Sequence, residues 1–476
     1  LKILLANSPW YKKGFYGVRA GSRWPHFELD MTDYMPFPFF LAYAQAILKK
    51  NGFESHLIDG IAERITLDEF FGRVRDYKPD VVVYEVSTPS IEHDIRVAGR
   101  TKEEMGQETV IVFCGPHHGM YSEEFLLEHK EVDFCLQGEY EYALLELLET
   151  QRDNRPVDDI QSLIYRADDS RVVINQRRPL EKDLDRFPWP SREELSMSRY
   201  HDAPGGIPEP SLQMWASRGC PYQCIFCSWP QIMYAGSSYR VRDVKDVVAE
   251  IKWCIEKFGF KSVYFDDDTF NIGKPRILKL CDEIKKSGLK IPWAIMARAD
   301  CMDREMLEAM VDAGLVALKY GVESGVQEIL DNSGKSLDLK KVRETVKFTR
   351  ELCVKYHLTF TFGLPGETFD TIKKTIDLAM ELDPDSLQFS IITPYPGSAY
   401  FEQLESKGYI LSKKWDEYDG YNKAVIRTDN LTAADLEKAL KMALKRWRGR
   451  AIAKNLKRDP IGTSARVLRK MISRKK

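Results

Sequence analysis

Trp215-Ala-Ser-Arg-Gly-Cys220-Pro-Tyr-Gln-Cys224-Ile-Phe226-Cys227-Ser228 follows a short apolar run, Leu212 to Ala216, and decides how the chain on either side is read. Three cysteines fall within eight residues, with three and then two residues between them. Each iron of a cubane cluster takes one thiolate besides its sulfides, so three thiolates hold three irons and leave the fourth open to a substrate. Cys220, Cys224 and Cys227 are therefore the expected ligands of a [4Fe-4S] cluster. A structural zinc site takes four ligands, usually in two close pairs, and the nearest other candidate, His201, lies outside any such pairing. Disulfides fit no better, because nine cysteines is an odd number and most stand alone in apolar runs.

Downstream, strands are expected at Ser262–Phe265, Trp293–Met296, Ala317–Tyr320, Thr359–Phe362 and Leu387–Ile391, each separated by an amphipathic helix. With the strand before Cys220 they make six. Active sites of α/β barrels gather at the carboxyl ends of the strands. Those ends carry Asp267 and Asp268 in Phe265-Asp-Asp-Asp-Thr-Phe270, then Arg298, Glu323 in Gly321-Val-Glu-Ser-Gly325, and Gly363 in Gly363-Leu-Pro-Gly-Glu-Thr368. Upstream, apolar strands from Lys2–Ala6 to Phe134–Leu136 alternate with helices, the pattern of a doubly wound, Rossmann-like parallel sheet. Ligands of such sheets sit beyond the strand ends. The loops there are Asn7-Ser8-Pro9, Ser87-Thr88-Pro89-Ser90, Gly115-Pro116-His117-His118 and Gln137-Gly138-Glu139, and none matches the Gly-x-Gly-x-x-Gly dinucleotide fingerprint.

The Cys-x3-Cys-x2-Cys spacing, with aromatic Phe226 before the third cysteine, resembles the signature of the radical S-adenosylmethionine superfamily, whose partial barrel also has six strands. That resemblance implies S-adenosylmethionine as a cofactor near Phe226. Arg298 is suited to pair its carboxylate in a forked geometry. Glu323, Asp267 and Asp268 are suited to accept from its amine or ribose, and Gly363 to admit adenine to the backbone; a helix cap is the competing role for one of the aspartates. The N-terminal sheet resembles the cobalamin-binding domain of cobalamin-dependent radical enzymes. Ser87, Thr88, Gly115, His117, Gln137, Gly138 and Glu139 then face the corrin, unless the two histidines only cap their loop. The Asp-x-His-x-x-Gly motif is lacking, so no histidine from that motif is expected below cobalt. The likeness runs from Leu1 to about Gly408 and is nearest to the class of radical methylases of unactivated carbon and the anaerobic oxidative cyclase of chlorophyll synthesis. It implies cleavage of S-adenosylmethionine to a 5′-deoxyadenosyl radical, hydrogen abstraction from carbon, and methyl transfer through cobalamin. Oxidation, cyclisation or rearrangement with the same cofactors, and a non-catalytic corrinoid or cluster carrier, are the alternatives. An external electron donor such as flavodoxin or ferredoxin belongs to the same expectation.

The 476 residues, 43% of them apolar, suffice for two or three domains. The expected division is a sheet domain at 1–150, a bridge with a hairpin at 151–206, a barrel at 207–408 and a C-terminal region at 409–476. No apolar run approaches the eighteen or so residues of a membrane span, and no signal peptide is evident. A cytoplasmic protein with reduced thiols is expected. The long first connection, Trp10 to about Met35, is expected to lie over the cofactor side, with Arg19, Arg23 and Trp24 suited to grip an anionic or flat group; an insertion packed against the next domain is the alternative. From Lys441 to Lys476, fourteen Lys/Arg face one acid, although the whole chain carries −2. Apolar residues interleave with this charge, which suggests peripheral attachment to anionic membrane and a lipid or isoprenoid-like substrate; a solvated tail is the plainer reading and nucleic acid the weakest.

Overall fold

The computed structural model describes residues 1–12, 15–18, 26–28, 35–201, 205–420 and 423–458. Two parallel sheets organise it. The N-terminal sheet runs in the order Arg171–Ile174, Leu163–Asp168, Phe134–Leu136, Val110–Cys114, Val81–Glu85, Lys2–Asn7, Glu54–Asp59. Its strands are continuous apolar runs because helices cover both faces; Val81, Val82, Val83 and Tyr84 are all buried. The chain starts in the middle of the sheet and reverses direction between Lys2–Asn7 and Val81–Glu85, which opens a ligand crevice at their carboxyl ends.

The hairpin expected in the bridge belongs instead to this sheet. Leu163–Asp168 pairs antiparallel with Phe134–Leu136 and covers an edge that would otherwise leave backbone donors and acceptors unpaired. Buried Leu163 and Ile164 make the addition favourable.

The second sheet holds six parallel strands in chain order: Ser211–Met214, Ser262–Phe265, Trp293–Ala297, Leu315–Glu323, Lys355–Phe362 and Ser386–Ile391. Asp243, Asp303, Asp338 and Thr368 cap the helices between them, each side chain accepting a hydrogen bond from the first turn. This is the six-stranded barrel the sequence announces.

The helix Phe39–Lys50 joins the two sheets. Phe39 stacks on Trp215 at 4.1 Å between ring centroids, and Phe40 and Tyr43 lie against the same indole.

The basic C-terminal region is only partly a separate object. The helix Ala433–Arg458 buries Leu436, Ala439, Leu440 and Ala443 against the barrel. Arg446 pairs with Asp377, and Arg450 Nη2 lies 3.0 Å from Asp383 Oδ1, so these two of its cations neutralise barrel acids. The segment 459–476 lies outside the described residues, as do Arg19, Arg23 and Trp24. Among the described residues, no helix is long and apolar enough to cross a membrane.

Candidate active site

The cysteine loop stands on a two-residue antiparallel stem, Ser217–Arg218 against Arg240–Val241. Gly219 leaves the stem with φ +92°, and a Cβ there would lie 2.3 Å from the Ser238 carbonyl oxygen, so only glycine fits. Asp268 Oδ2 accepts the Gly219 N–H at 2.9 Å. Asp267, expected to face a ligand, is fully buried with its oxygens turned to the loop: Oδ1 accepts the Ala216 N–H at 2.9 Å and Oδ2 the Ser217 hydroxyl. Burial pushes its carboxyl up to about 6, against the pull of Arg276. A short acid beside exposed backbone donors satisfies them first, which is why Asp267 braces the loop.

Gln231 supplies a second brace that the sequence did not single out. Its amide donates to the carbonyls of Cys227 at 2.8 Å, Ile225 at 3.2 Å and Cys224 at 3.4 Å, and its Oε1 accepts the Ala399 N–H at 2.8 Å. Phe226 is buried. None of the three cysteines is in a disulfide, each is partly exposed, and the Cys220 thiol lies 3.3 Å from Thr269 Oγ1. Burial raises the Cys224 thiol, while Lys335 and Arg298 oppose that shift. Soft donors with cations beside them fit an anionic iron-sulfur group.

Two of the strand-end residues, Glu323 and Arg298, lie close enough to Cys224 to act on its charge, and a third, Gly363, lies elsewhere. Glu323 is buried; Oε1 receives Lys335 Nζ at 3.0 Å and Thr359 Oγ1 at 3.2 Å, and Oε2 receives Thr361 Oγ1 at 2.9 Å. Its φ is +69°, in the left-handed region. Arg298 lies 3.7 Å from the ring centroid of Tyr222 in the cysteine loop. The forked pairing expected of it is met by Asp300, at 2.7 Å from Nε and 3.0 Å from Nη2, and Nη2 also donates to the Lys335 carbonyl at 2.6 Å. Gly363, expected to admit adenine, has φ +98° and faces Ile392, 2.8 Å from where a Cβ would stand. Its N–H donates to Glu367 Oε2 at 2.5 Å, so the glycine serves a folded-back loop and the packing of Ile392.

On the sheet side, Ser87 closes a capping box with Ser90, and Thr88 Oγ1 lies 3.1 Å from His117 Nδ1. Burial holds His117 down to about 3, so its ring is neutral, and its edge meets Trp415 at 5.7 Å. His118 packs under Gly397 of the barrel, where a Cβ would be 2.5 Å from its Cγ. Gly115 takes φ +119° with Val86 O 2.3 Å from a hypothetical Cβ. The Gln137 N–H donates to Ser162 O at 3.0 Å, and Gly138 lies against Arg177 and the Met233 carbonyl of the barrel half. Glu139, expected to face a cofactor, is instead paired with Arg218 at 3.2 Å and Arg240 at 2.7 Å. Two arginines within reach outcompete a neutral ligand for a buried carboxylate.

Asn7 ends the central strand at the reversal point and is fully buried. Neither its Nδ2 nor its Oδ1 has a hydrogen-bond partner among the described residues. A buried amide with both halves unmet is costly. Here it fits a ligand rimmed with amides, as cobalamin is.

Comparison with known proteins agrees with this two-sided arrangement. Residues 33–148 match the B12 binding domain family and residues 216–379 the Radical SAM superfamily. The chain joins a B12-binding domain to a radical SAM domain. Its cofactors are accordingly a [4Fe-4S] cluster, S-adenosylmethionine and cobalamin. An uncharacterized methyltransferase of Pyrococcus horikoshii is 28% identical over 85% of this chain and 86% of its own length. The anaerobic magnesium-protoporphyrin IX monomethyl ester cyclase of Cereibacter sphaeroides is 27% identical over 87% of this chain and 64% of its own. The solved radical S-adenosylmethionine methyltransferase TsrM of Kitasatospora setae, with cobalamin and a [4Fe-4S] cluster bound, superposes with a TM-score of 0.66 at 18% identity, over 85% of this chain and 75% of its own, and so shares the fold.

Proposed function

We propose that this radical SAM enzyme transfers a methyl group to an unactivated carbon of a small-molecule substrate. When bound, its cofactors supply a carbon-centred radical and a cobalt-carried methyl group, the chemistry that protein side chains lack. The chain's own part is to hold, orient and exclude water. Cys220, Cys224 and Cys227 present thiolates; Asp267, Asp268 and Gln231 fix the loop that bears them. Glu323, set among Lys335, Thr359 and Thr361, offers a buried carboxylate beside Cys224 for the amine or ribose of S-adenosylmethionine. Asn7 reads an amide of the corrin rim. The electron that starts the reaction comes from an external donor of flavodoxin or ferredoxin type.

One observation carries the reading: the sheet-side loops pack directly on the cysteine loop and its neighbours, Glu139 on Arg218 and Gly138 on Met233. Groups bound at the two sets of strand ends thus share one interior, as a methyl transfer between them and a substrate requires and a simple carrier does not. The cyclase relative supports a second reading, in which the same interior serves oxidation or ring closure without methyl transfer. Reduced, cobalamin-loaded protein incubated anaerobically with S-adenosylmethionine bearing a labelled methyl group is expected to place label in the corrinoid fraction. Release of 5′-deoxyadenosine with no labelled corrinoid replaces methyl transfer with the oxidative reading.

A further inference from the structure

The contact between the two halves of the molecule has an apolar part and an ionic part, and they do different things. Phe39, Phe40 and Tyr43 against Trp215 supply attraction, which is roughly proportional to area and indifferent to direction. A sliding of one ring over another costs little. Beside this patch lies a charge group with side chains no more than 8% exposed: Glu139 and Glu141 from the sheet half, Arg218 and Arg240 from the stem. Glu139 accepts from Arg240 Nη1 at 2.8 Å, Arg240 Nη2 at 2.7 Å and Arg218 Nη1 at 3.2 Å. Arg218 Nη1 also reaches Glu141 at 2.8 Å. Its guanidinium is boxed by the rings of Phe187, Tyr43, Trp215 and Phe40 at 4.4 to 5.4 Å.

Two arginines balance two glutamates. Buried ion groups of this kind are seldom a net source of stability over apolar packing, and their best-attested use is to fix register. The placement suits that use. Arg218 and Arg240 are directly paired across the stem, so one carboxylate grips both legs of the cysteine loop, and Arg218 stands two residues before Cys220. Glu139 itself ends the Gln137-Gly138-Glu139 loop, beyond the strand Phe134–Leu136 of the B12-binding half.

We propose that Glu139 is a positioning residue that holds the cysteine loop in register with the B12-binding sheet and so sets the separation between cluster and corrin. The inference rests on the reading that both cofactors serve one reaction space. It makes Glu139 indispensable for the geometry between the cofactors and dispensable for the binding of either.

The test uses the full chain, loaded with both cofactors, and compares wild type with Glu139→Gln. Iron, sulfide and corrinoid contents are expected to stay equal. The distance distribution between reduced cluster and cob(II)alamin, measured by pulsed dipolar EPR, is expected to widen about twofold, and hydrogen exchange at the amides of Ala216, Ser217 and Gly219 to quicken by about tenfold or more. Labelling of the corrinoid from S-adenosylmethionine should fall in step with the widening. Arg240→Gln, which leaves Arg218 bound to both glutamates, should show the same pattern more weakly and serves if Glu139→Gln does not fold. Asp133→Asn is the control, since Asp133 pairs with Lys102 at 2.7 Å wholly inside the sheet half. It should lower thermal stability and leave the distance distribution and the stem amides unchanged. An unchanged distance distribution in both Glu139→Gln and Arg240→Gln overturns the proposal, as does an equal widening in Asp133→Asn. Wild type with a narrow distribution but no corrinoid labelling overturns the methyl-transfer reading and leaves the register role standing.

Discussion

The loop at Cys220–Cys227 and the loop at Gln137–Glu139 meet in space, yet they carry information in opposite ways. In the first, thiols at fixed spacing serve little but a metal cluster, and the structure leaves all three out of disulfides and partly exposed. In the second, a glutamine, a glycine and a glutamate could each serve a ligand, a backbone or a neighbouring charge. Glu139 is taken by two arginines, Gly138 by contact with the other half, and the backbone N–H of Gln137 by the Ser162 carbonyl. A side chain with one chemistry declares its role; one with several takes the role its neighbours leave.

Replacing Cys220, Cys224 and Cys227 together by alanine is the largest way to break that comparison. Iron and sulfide in reconstituted protein should fall to background while corrinoid binding persists; a full cluster complement would remove the special standing of these thiols. Glu323→Gln comes next. Loss of a buried charge-assisted bond costs about 1.5–3 kcal/mol, so affinity for S-adenosylmethionine by calorimetry should drop roughly tenfold to a hundredfold with iron content unchanged. Unchanged affinity would place Glu323, like Asp267, among residues that serve the fold.

Asn7→Leu probes the sheet side, where apolar isosteres and ligand contacts pull in opposite directions. Removing an unmet buried amide should raise the thermal midpoint of the apoprotein, while hydroxocobalamin binding followed by absorbance should weaken by about tenfold. A fall in both would mean that Asn7 is simply structural.

The last effect bears on stability alone and leaves both cofactor sites untouched: it concerns Glu367, whose carboxyl burial pushes up to about 8 from 4.5. The folded protein then holds a proton that the unfolded chain releases from about pH 4.5 upward. Stability therefore declines as pH rises through that interval and levels off above about 8. Glu367→Gln should flatten this decline in thermal midpoint between pH 5 and 9; a slope equal to wild type would show that the proton is lost elsewhere.

Six barrel strands, five parallel sheet strands and most of their helices were legible because their apolar periods are long and their caps regular. The hairpin at 163–174 was legible as a hairpin but not as part of the sheet, since pairing of Leu163–Asp168 with Phe134–Leu136 is a choice among edges that local pattern does not record. Lys335 and Gln231 escaped notice because each lies in a loop or short helix and acts on a partner distant in sequence, and Asp300 because a carboxylate two residues from an arginine in a loop carries no periodic signal. Thr359 and Thr361 did carry a signal: two hydroxyls at the period of a strand point to one face, and that face holds Glu323. Asp267 and Asp268 of Phe265-Asp-Asp-Asp-Thr-Phe270 were expected to face a ligand, but both brace the cysteine loop, because the backbone donors of Ala216 and Gly219 that draw them are set by the fold and not by local pattern.

Glu323 sits at φ +69°, a conformation that glycine adopts freely and that costs a side-chain-bearing residue about 1–3 kcal/mol. Between Gly321 and Gly325, a third glycine would be the backbone's own choice. What the side chain gains there is a carboxylate shared by Lys335, Thr359 and Thr361, so a glycine in its place would relax the backbone and leave those three donors without their common acceptor.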